Sequence, residues 1–514
     1  MSEITLQDQE SPAAPAVAAP APGLLDRILA ATTSELATAA PDEDDTGLDE
    51  AAHAREIVTA LVGQARQSAV AFDKNITRTI NALIKEIDGR MSDQLNQILH
   101  SPKLLQLEGS WRGLQYLVRN SHVSPTLKIR MVSVKKAELE RNFGAGEMEQ
   151  SWLYKSLHQE AYNIAGGEPY GALIGDYEWG PKASDLDTLE MIAAVSRRSF
   201  TPFLSAASPA MLELKSWTDL GTSSGFGVIT EGPRFDKWRS FRQSEDASFV
   251  ALTLPRVLAR LPYGEAAKPV EGFGYEEAPR DQNGTPLALD HTHFCWMNAA
   301  YALGTRLTQA FSEYGFCTRI RGADSGGRVT NLPLFGFKTA DGDYDNKCPT
   351  EINIPDNIDY ELGKLGFLPL VHYKGTDYAV FFGAQTIKKP DKYGNDDADA
   401  NAEISARLPY VMASSRFAHN LKVLGRDMIG SFKEATDCEF TLDQWIKRYV
   451  NTNVDAKEDL KAKFPLREAR VKVEEVAGQP GVYNAVAYLR PWLQMEELTA
   501  SLRMVARIPG GNRG

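Results

Sequence analysis

Only four cysteines, Cys295, Cys317, Cys348 and Cys438, occur in 514 residues, and no C-x-x-C pair is among them. They are too few and too scattered for a disulfide scaffold, so reduced thiols are expected. No window approaches the roughly 18 continuous apolar residues of a membrane helix. The start, Met1-Ser2-Glu3-Ile4, lacks a basic segment followed by an apolar one. The expectation is a cytoplasmic protein with no membrane insertion. Positive charge is also scarce. The net charge is −12, and residues 1–50 hold eleven acids against one arginine, a local −10 that leaves −2 for the rest. Neither part offers the basic face that nucleic acid requires. There is no G-x-x-x-x-G-K-[ST] string, and Gly322 to Gly327 lacks a G-x-G-x-x-G fingerprint, so nucleotide binding has no support and no cofactor is indicated.

The hydrophobic content of 43% and charged content of 24% are ordinary for globular proteins. The expected fold class is α+β, in four segments. Residues 1–50 form an acidic, Ala- and Pro-rich tail that cannot bury enough apolar surface to order itself. Within it, Leu24, Leu25, Ile28 and Leu29 suit a short amphipathic helix. Residues 51–122 carry a helical period, with Ile76, Ile80, Leu83, Ile87, Met91, Leu95 and Ile98 spaced by three or four and a second helix from Lys103 to Asn120. Residues 123–435 mix both element types. Strands are expected at Leu127 to Val134, Tyr170 to Gly175 and Phe316 to Arg321, and a hairpin around Lys374-Gly375-Thr376. Helices are expected over Asp185 to Ser199, from Phe294 to a stop at Gly315, and along Val411, Ala418, Leu421, Met428 and Phe432, while Pro390 to Ala402 reads as an acidic loop. Residues 436–514 open on a capping box, Thr441-Leu442-Asp443-Gln444, and end in strands.

Candidate chemistry is sparse. Gly221-Thr222-Ser223-Ser224-Gly225 matches the G-x-S-x-G of serine hydrolases, but Trp217 to Leu220 is no convincing buried strand and Phe226 to Ile229 begins no helix. His291, His293 and Cys295, with Cys317 or Cys348 as a distant fourth ligand, hold zinc-type donors. At a helix start, however, alternate positions splay around the axis, which favours capping and core packing. Arg234 to Arg242 interleaves cations with aromatics, yet Glu245 and Asp246 follow, so it reads as a solvated, salt-bridged helix face.

The C-terminal alternation is the strongest local signal. Ala469, Val471 and Val473 alternate with charged residues, Val482 to Arg490 forms a second run, and Leu498, Ala500, Leu502, Met504, Ala506 and Ile508 face one way in a third. Two or three strands alone are marginal in water and expose edges that need covering or completing.

Several stretches together resemble the large subunit of the type VI secretion contractile sheath, the TssC or VipB type. They are Leu107-Glu108-Gly109-Ser110-Trp111-Arg112-Gly113-Leu114, then Ser244-Glu245-Asp246-Ala247 through Leu252-Thr253-Leu254-Pro255-Arg256 to Arg260-Leu261-Pro262-Tyr263-Gly264, and Leu408-Pro409-Tyr410-Val411-Met412-Ala413 with Arg416-Phe417-Ala418. The C-terminal strands match as well. The resemblance implies a non-enzymatic subunit that pairs with a small TssB/VipA-type subunit and polymerises with neighbouring protomers around an inner tube of hexameric Hcp-type rings on a baseplate. It implies contraction, and disassembly by an AAA+ unfoldase of the ClpV type. It assigns Val482, Asn484, Val486, Tyr488, Leu498, Ala500, Leu502, Met504, Ala506 and Ile508 to an inter-subunit strand interface. Ile76, Ile80, Leu83, Ile87, Leu95 and Ile98 would pack on the small subunit, and Leu24, Leu25, Ile28 and Leu29 would meet the unfoldase. The rivals are a serine hydrolase using Ser223 and a non-polymerising docking protein acting through Leu24 to Leu29.

Overall fold

The structure is a computed structural model. It describes residues 76–492 apart from 145–146, 165, 223–224, 265–267, 272–273, 279–288, 339–341, 429–433 and 477–481. The chain divides into two compact units, Met1–Ile87 and Asp88–Gly514. In chain order the elements used below are helices α1 (Ile76–Leu99) and α2 (Pro102–Arg119), strand β1 (Leu173–Trp179), α3 (Ala183–Ser199), β2 (Phe203–Ala207), α4 (Asp236–Gln243), β3 (Val250–Leu254), α5 (Ala299–Tyr314), β4 (Phe367–Pro369), α6 (Asp396–Ser405), α7 (Leu408–Asp427), α8 (Ala435–Lys447), β5 (Leu466–Glu475) and β6 (Tyr483–Pro491).

The body is built on a four-stranded sheet in the order β1-β2-β3-β4, parallel throughout. Parallel strands are stable only when both faces are covered, and every residue of β2 and β3 is buried. Side chains alternate between two cores. Phe203, Val250, Leu252 and Phe367 face Leu189 and Ile192 of α3 and Trp238 of α4. Leu204, Ala251 and Leu368 face Ala299, Ala300, Leu303 and Leu307 of α5. Helix α5 is the expected helix with a later start. Trp296–Met297 is a two-residue strand, the Asn298 side chain caps the helix by accepting from Ala300 N at 2.8 Å, and Gly315 ends it at φ 78°.

Helix α2 lies across α5 through small residues. A Cβ on Gly109 would collide with the Trp296 carbonyl oxygen, and one on Gly113 would enter the Tyr301 ring. Leu117 then packs where Gly304 of α5 leaves room. The Leu-Glu-Gly-Ser-Trp-Arg-Gly-Leu string is therefore a close-approach face, with its glycines inward and Trp111 outward, 55% exposed.

A third core is C-terminal. Phe417 of α7, Leu442 and Ile446 of α8, and Ala469, Val471 and Val473 of β5 pack with Phe316. Arg416 stacks over Phe311 and Phe316 at 4.6 and 5.5 Å, so its charge lies on ring faces.

Several expectations are corrected. Leu127 to Val134 is extended but pairs with no described strand beyond a Ser124–Leu127 bridge, because Met131 and Val132 face solvent. Phe316 to Arg321 is likewise no strand, and its end at Arg321 forms an isolated bridge to Gly326. The strand read at Tyr170 begins at Leu173. The hairpin is restricted to Val371–His372 and Ala379–Val380, since Phe367–Pro369 belongs to the large sheet. The acidic loop contains helix α6. The capping box sits about two turns earlier, where Glu434 and Asp437 satisfy each other's backbone groups, and Thr441 lies inside α8 bonding back to the Asp437 carbonyl. Phe226–Thr230 is a short helix, contrary to expectation.

Adding a methyl group at Gly113 should overpack the α2–α5 contact and cost about 1–3 kcal/mol. Gly425→Ala, in a helix with no atom within 4 Å of the new methyl, should be neutral or stabilising. Thermal unfolding of both variants checks this, and equal effects would remove the close-approach explanation.

Candidate functional site

Two of the resemblance-bearing strings meet in a buried ion network. Arg260 donates from Nη1 and Nη2 to Glu277 at 2.6 and 2.9 Å, and from Nε to Glu108 of α2 at 2.7 Å. Arg112, one turn along α2, donates to the same Glu108 oxygen at 2.7 Å and to the Tyr263 hydroxyl at 3.1 Å. Glu277 also accepts from Tyr263 N at 2.9 Å, and His100 Nε2 lies 3.3 Å away. Burial pushes the Glu277 carboxyl up, but His100 and Arg260 outweigh it and hold it below the usual range. Glu108 is held low in the same way, burial being opposed by Arg260 and Arg112. Asn96 of α1 joins through Tyr275 at 2.8 Å and the Ala278 carbonyl at 2.8 Å.

This clamp fixes which sides of the two helices face outward. On α1, Ile84, Met91 and Ile98 recur every seven residues on one exposed line, while Leu83 is buried and Ile87 and Leu95 are half-buried. The side chains of Ile76 and Ile80 lie outside the described residues. On α2, Leu107, Trp111 and Val118 are exposed.

A second network gathers the candidate metal donors and separates them. Arg256 donates from its backbone N, Nε and Nη2 to Glu351 at 2.9, 3.0 and 2.6 Å, and His291 Nε2 lies 3.0 Å from the same carboxylate. Burial raises the Glu351 carboxyl, and His291 and Arg256 bring it below the usual range. His293 instead lies against the His100 ring at 4.6 Å, and Cys295 points at the Leu105 carbonyl with its thiol pushed by burial to about 12. The three donors thus take three directions, and among the described residues no group of three or more such side chains is placed to hold a metal. In the cationic run, Arg239 pairs with Asp236 and Lys237 with Asp187, as a solvated face would. Arg242 differs. It is buried, donates to the Ile387 and Lys364 carbonyls, and is lowered by desolvation to about 10.

At the C-terminus, β5 and β6 form an antiparallel pair with Val471 opposite Ala487 and Val473 opposite Ala485. Val482, Asn484, Val486 and Tyr488 share the exposed face, while Ala487 and Leu489 turn toward the third core. The two edges of this ribbon are not equivalent. Along β5, Asp443 and Glu439 of α8 accept from the backbone N–H of Val471 and Val473 at 3.2 and 2.9 Å. These carboxylates occupy donors that another strand would need. Among the described residues nothing pairs with the far edge of β6. Leu498, Ala500, Leu502, Met504, Ala506 and Ile508 fall outside the described residues, as do Leu24, Leu25, Ile28 and Leu29. Ser223 does too. The residues before it form a 3-10 helix, Trp217–Thr222, where a nucleophile elbow would need a strand.

Glu277→Gln leaves Arg260 under-compensated in a buried site and should destabilise the fold by about 3–5 kcal/mol. Because Glu108, Glu277 and Glu351 titrate lower folded than unfolded, their stabilisation is complete above the unfolded carboxylate pKa of about 4.3 and is lost as pH falls through the lower folded values. Thermal midpoints measured from pH 7 down to pH 3 should fall less steeply for Glu277→Gln than for the parent, and parallel curves would reject the assignment.

Comparison with known proteins places these features. Residues 81–388 match the VipB family model, the EvpB/VC_A0108 tail sheath N-terminal domain, and residues 397–508 match the EvpB/VC_A0108 tail sheath gpW/gp25-like domain. The chain is 42% identical over 482 residues to the type VI secretion system sheath protein TssC1 of Pseudomonas aeruginosa, covering 93% of this chain and 95% of that one. Among solved structures, it is similar to a chain of the anti-feeding prophage baseplate at a TM-score of 0.38 and 11% identity, covering 77% of this chain and 87% of that one. It is also similar to the contracted anti-feeding prophage sheath at 0.33 and 11%, covering 77% and 86%. The glycine-lined helix, the Arg260 clamp and the one-sided C-terminal ribbon are thus features of a chain that belongs to the VipB/TssC family of type VI secretion sheath proteins.

Proposed function

We propose that this chain is the large, non-enzymatic subunit of a contractile sheath in the cytoplasm of a Gram-negative bacterium. It pairs with a small TssB/VipA-type subunit, polymerises helically around an Hcp-type tube on a baseplate, and contracts to expel the tube. The observation that carries the reading is the C-terminal ribbon, whose β5 edge is occupied by Asp443 and Glu439 while β6, beside exposed Val482, Val486 and Tyr488, has no partner on its outer edge among the described residues. A strand from another subunit adds main-chain hydrogen bonds there without disturbing the third core. Heterologous contacts of that kind extend without closing, as a helical lattice requires. The run Leu498 to Ile508 contributes to the same interlock.

The small subunit docks on the outer line of α1. Of the residues assigned to it whose side chains are described, Ile98 is the exposed one, and Ile84 and Met91 extend its line. Leu24, Leu25, Ile28 and Leu29 offer an apolar helix face to a ClpV-type unfoldase after contraction. Contraction energy resides in lattice contacts, so the chain itself has no need of a nucleotide.

Co-expression with the small subunit followed by electron microscopy tests the reading, and tubules are expected. Removing residues 496–514, or Val486→Glu with Tyr488→Glu, should abolish tubules while circular dichroism and thermal midpoint stay near the parent. Met91→Asp with Ile98→Asp should prevent co-purification of the small subunit. Tubules that persist in the strand variants would refute the role of β6, and no tubules from the parent under any condition would refute the sheath itself.

A further inference from the structure

A cavity of about 360 Å³ opens beside α7, lined by His158, Tyr162, Asn163, Lys422, Val423 and Arg426. One wall is a nine-residue π-helix, Lys155–Asn163, a geometry that is rare and concentrated at functional sites. His158 lies between Tyr154 and Tyr162 on this wall, ring centroids 5.0 and 5.2 Å apart, and its Nδ1 is buried without a hydrogen-bond partner among the described residues. The opposite wall is cationic. Lys422 Nζ rests over the Tyr162 and Phe200 rings at 4.3 and 4.7 Å and meets no carboxylate among the described residues. Arg426 donates from Nη1 to the Ile164 carbonyl at 3.1 Å and lies 3.6 Å from Asp427, its neighbour in sequence. Arg198, near enough to act on His158, is 3.8 Å from Glu149.

We propose that this cavity binds a carboxylate-bearing ligand. Lys422 and Arg426 supply the charge, Asn163 an amide donor, and Tyr162 and Val423 the surface against which the body of the ligand packs. Two cations thus line one hollow, and the acids beside this group, Glu149 and Asp427, face Arg198 and Arg426. Burial draws the Lys422 ammonium down, and Lys422 in turn helps keep His158 neutral, a cost that a bound anion relieves. The carboxylate has two possible sources: a small metabolite, or the acidic segment Asp42-Glu43-Asp44-Asp45 of this same chain.

Titration calorimetry on the full-length protein, with benzoate and with a synthetic peptide of residues 41–50 as separate probes and sodium chloride at matched ionic strength as control, distinguishes them. Saturable binding of benzoate, weakened at least about tenfold by Lys422→Met and by Arg426→Met and retained by Lys422→Arg, is the expected result. Binding of the peptide as well, with competition between the two, assigns the chain's own tail as occupant. Benzoate alone assigns a small molecule. Lys422→Met keeps the apolar stem over both rings, and an unchanged thermal midpoint separates lost binding from lost folding. Benzoate and peptide heats no larger than those of chloride, or binding unaltered in both Met variants, would overturn the proposal and leave the sheath reading untouched.

Discussion

Arg260 is a buried cation held between two glutamates, and the placement of the outward-facing helices depends on it. A guanidinium taken out of water loses several kcal/mol of solvation that only close, geometrically matched carboxylates restore. Glu277 provides a two-pronged partner, and Glu108 brings α2 into the same network. Glycines at 109 and 113 then let α2 approach the backbone near Trp296 and the ring of Tyr301. Charge and shape act on the same helix and fix its rotation. Trp111 and Leu107 face outward because Glu108, Gly109 and Arg112 are committed inward.

The C-terminal ribbon follows a different rule. It is stabilised on one face by apolar packing on α8 and left open on the other. Its two edges carry the same kind of backbone group, but among the described residues only the β5 edge is satisfied. Carboxylates of Asp443 and Glu439 act on β5 as local substitutes for a neighbouring strand. Among the described residues, therefore, β5 has its outer N–H groups at Val471 and Val473 occupied, and β6 has no partner strand on its outer side.

Much of this was legible beforehand where the pattern is local. The period-two alternation through Ala469, Val471 and Val473 marks the middle of β5, and the run from Val482 to Arg490 places β6 to within one residue at each end, because side-chain direction in a strand follows sequence parity. The stripe from Ile76 to Ile98 forms one helix for a similar reason. Local reading failed where a segment needed a distant partner. Leu127 to Val134 has the composition of a strand but no strand to pair with among the described residues. Thr441 has the chemistry of a cap, but the α-helix had already begun at Ala435, where Glu434 and Asp437 close the box.

Sequence by itself determined the element types, the absence of nucleotide-binding strings, the glycine face of α2 and the family resemblance, all of which depend on residues near one another along the chain. Tertiary structure alone decided which charges pair, which side of α1 is exposed and which edge of the ribbon the α8 carboxylates occupy. Arg260 and Glu108 stand 152 residues apart, and Val471 and Asp443 stand 28 apart. Nothing in the spacing of such residues names the partner, because a hydrogen bond is selected by proximity in space, and only the packed cores bring those groups within reach of each other.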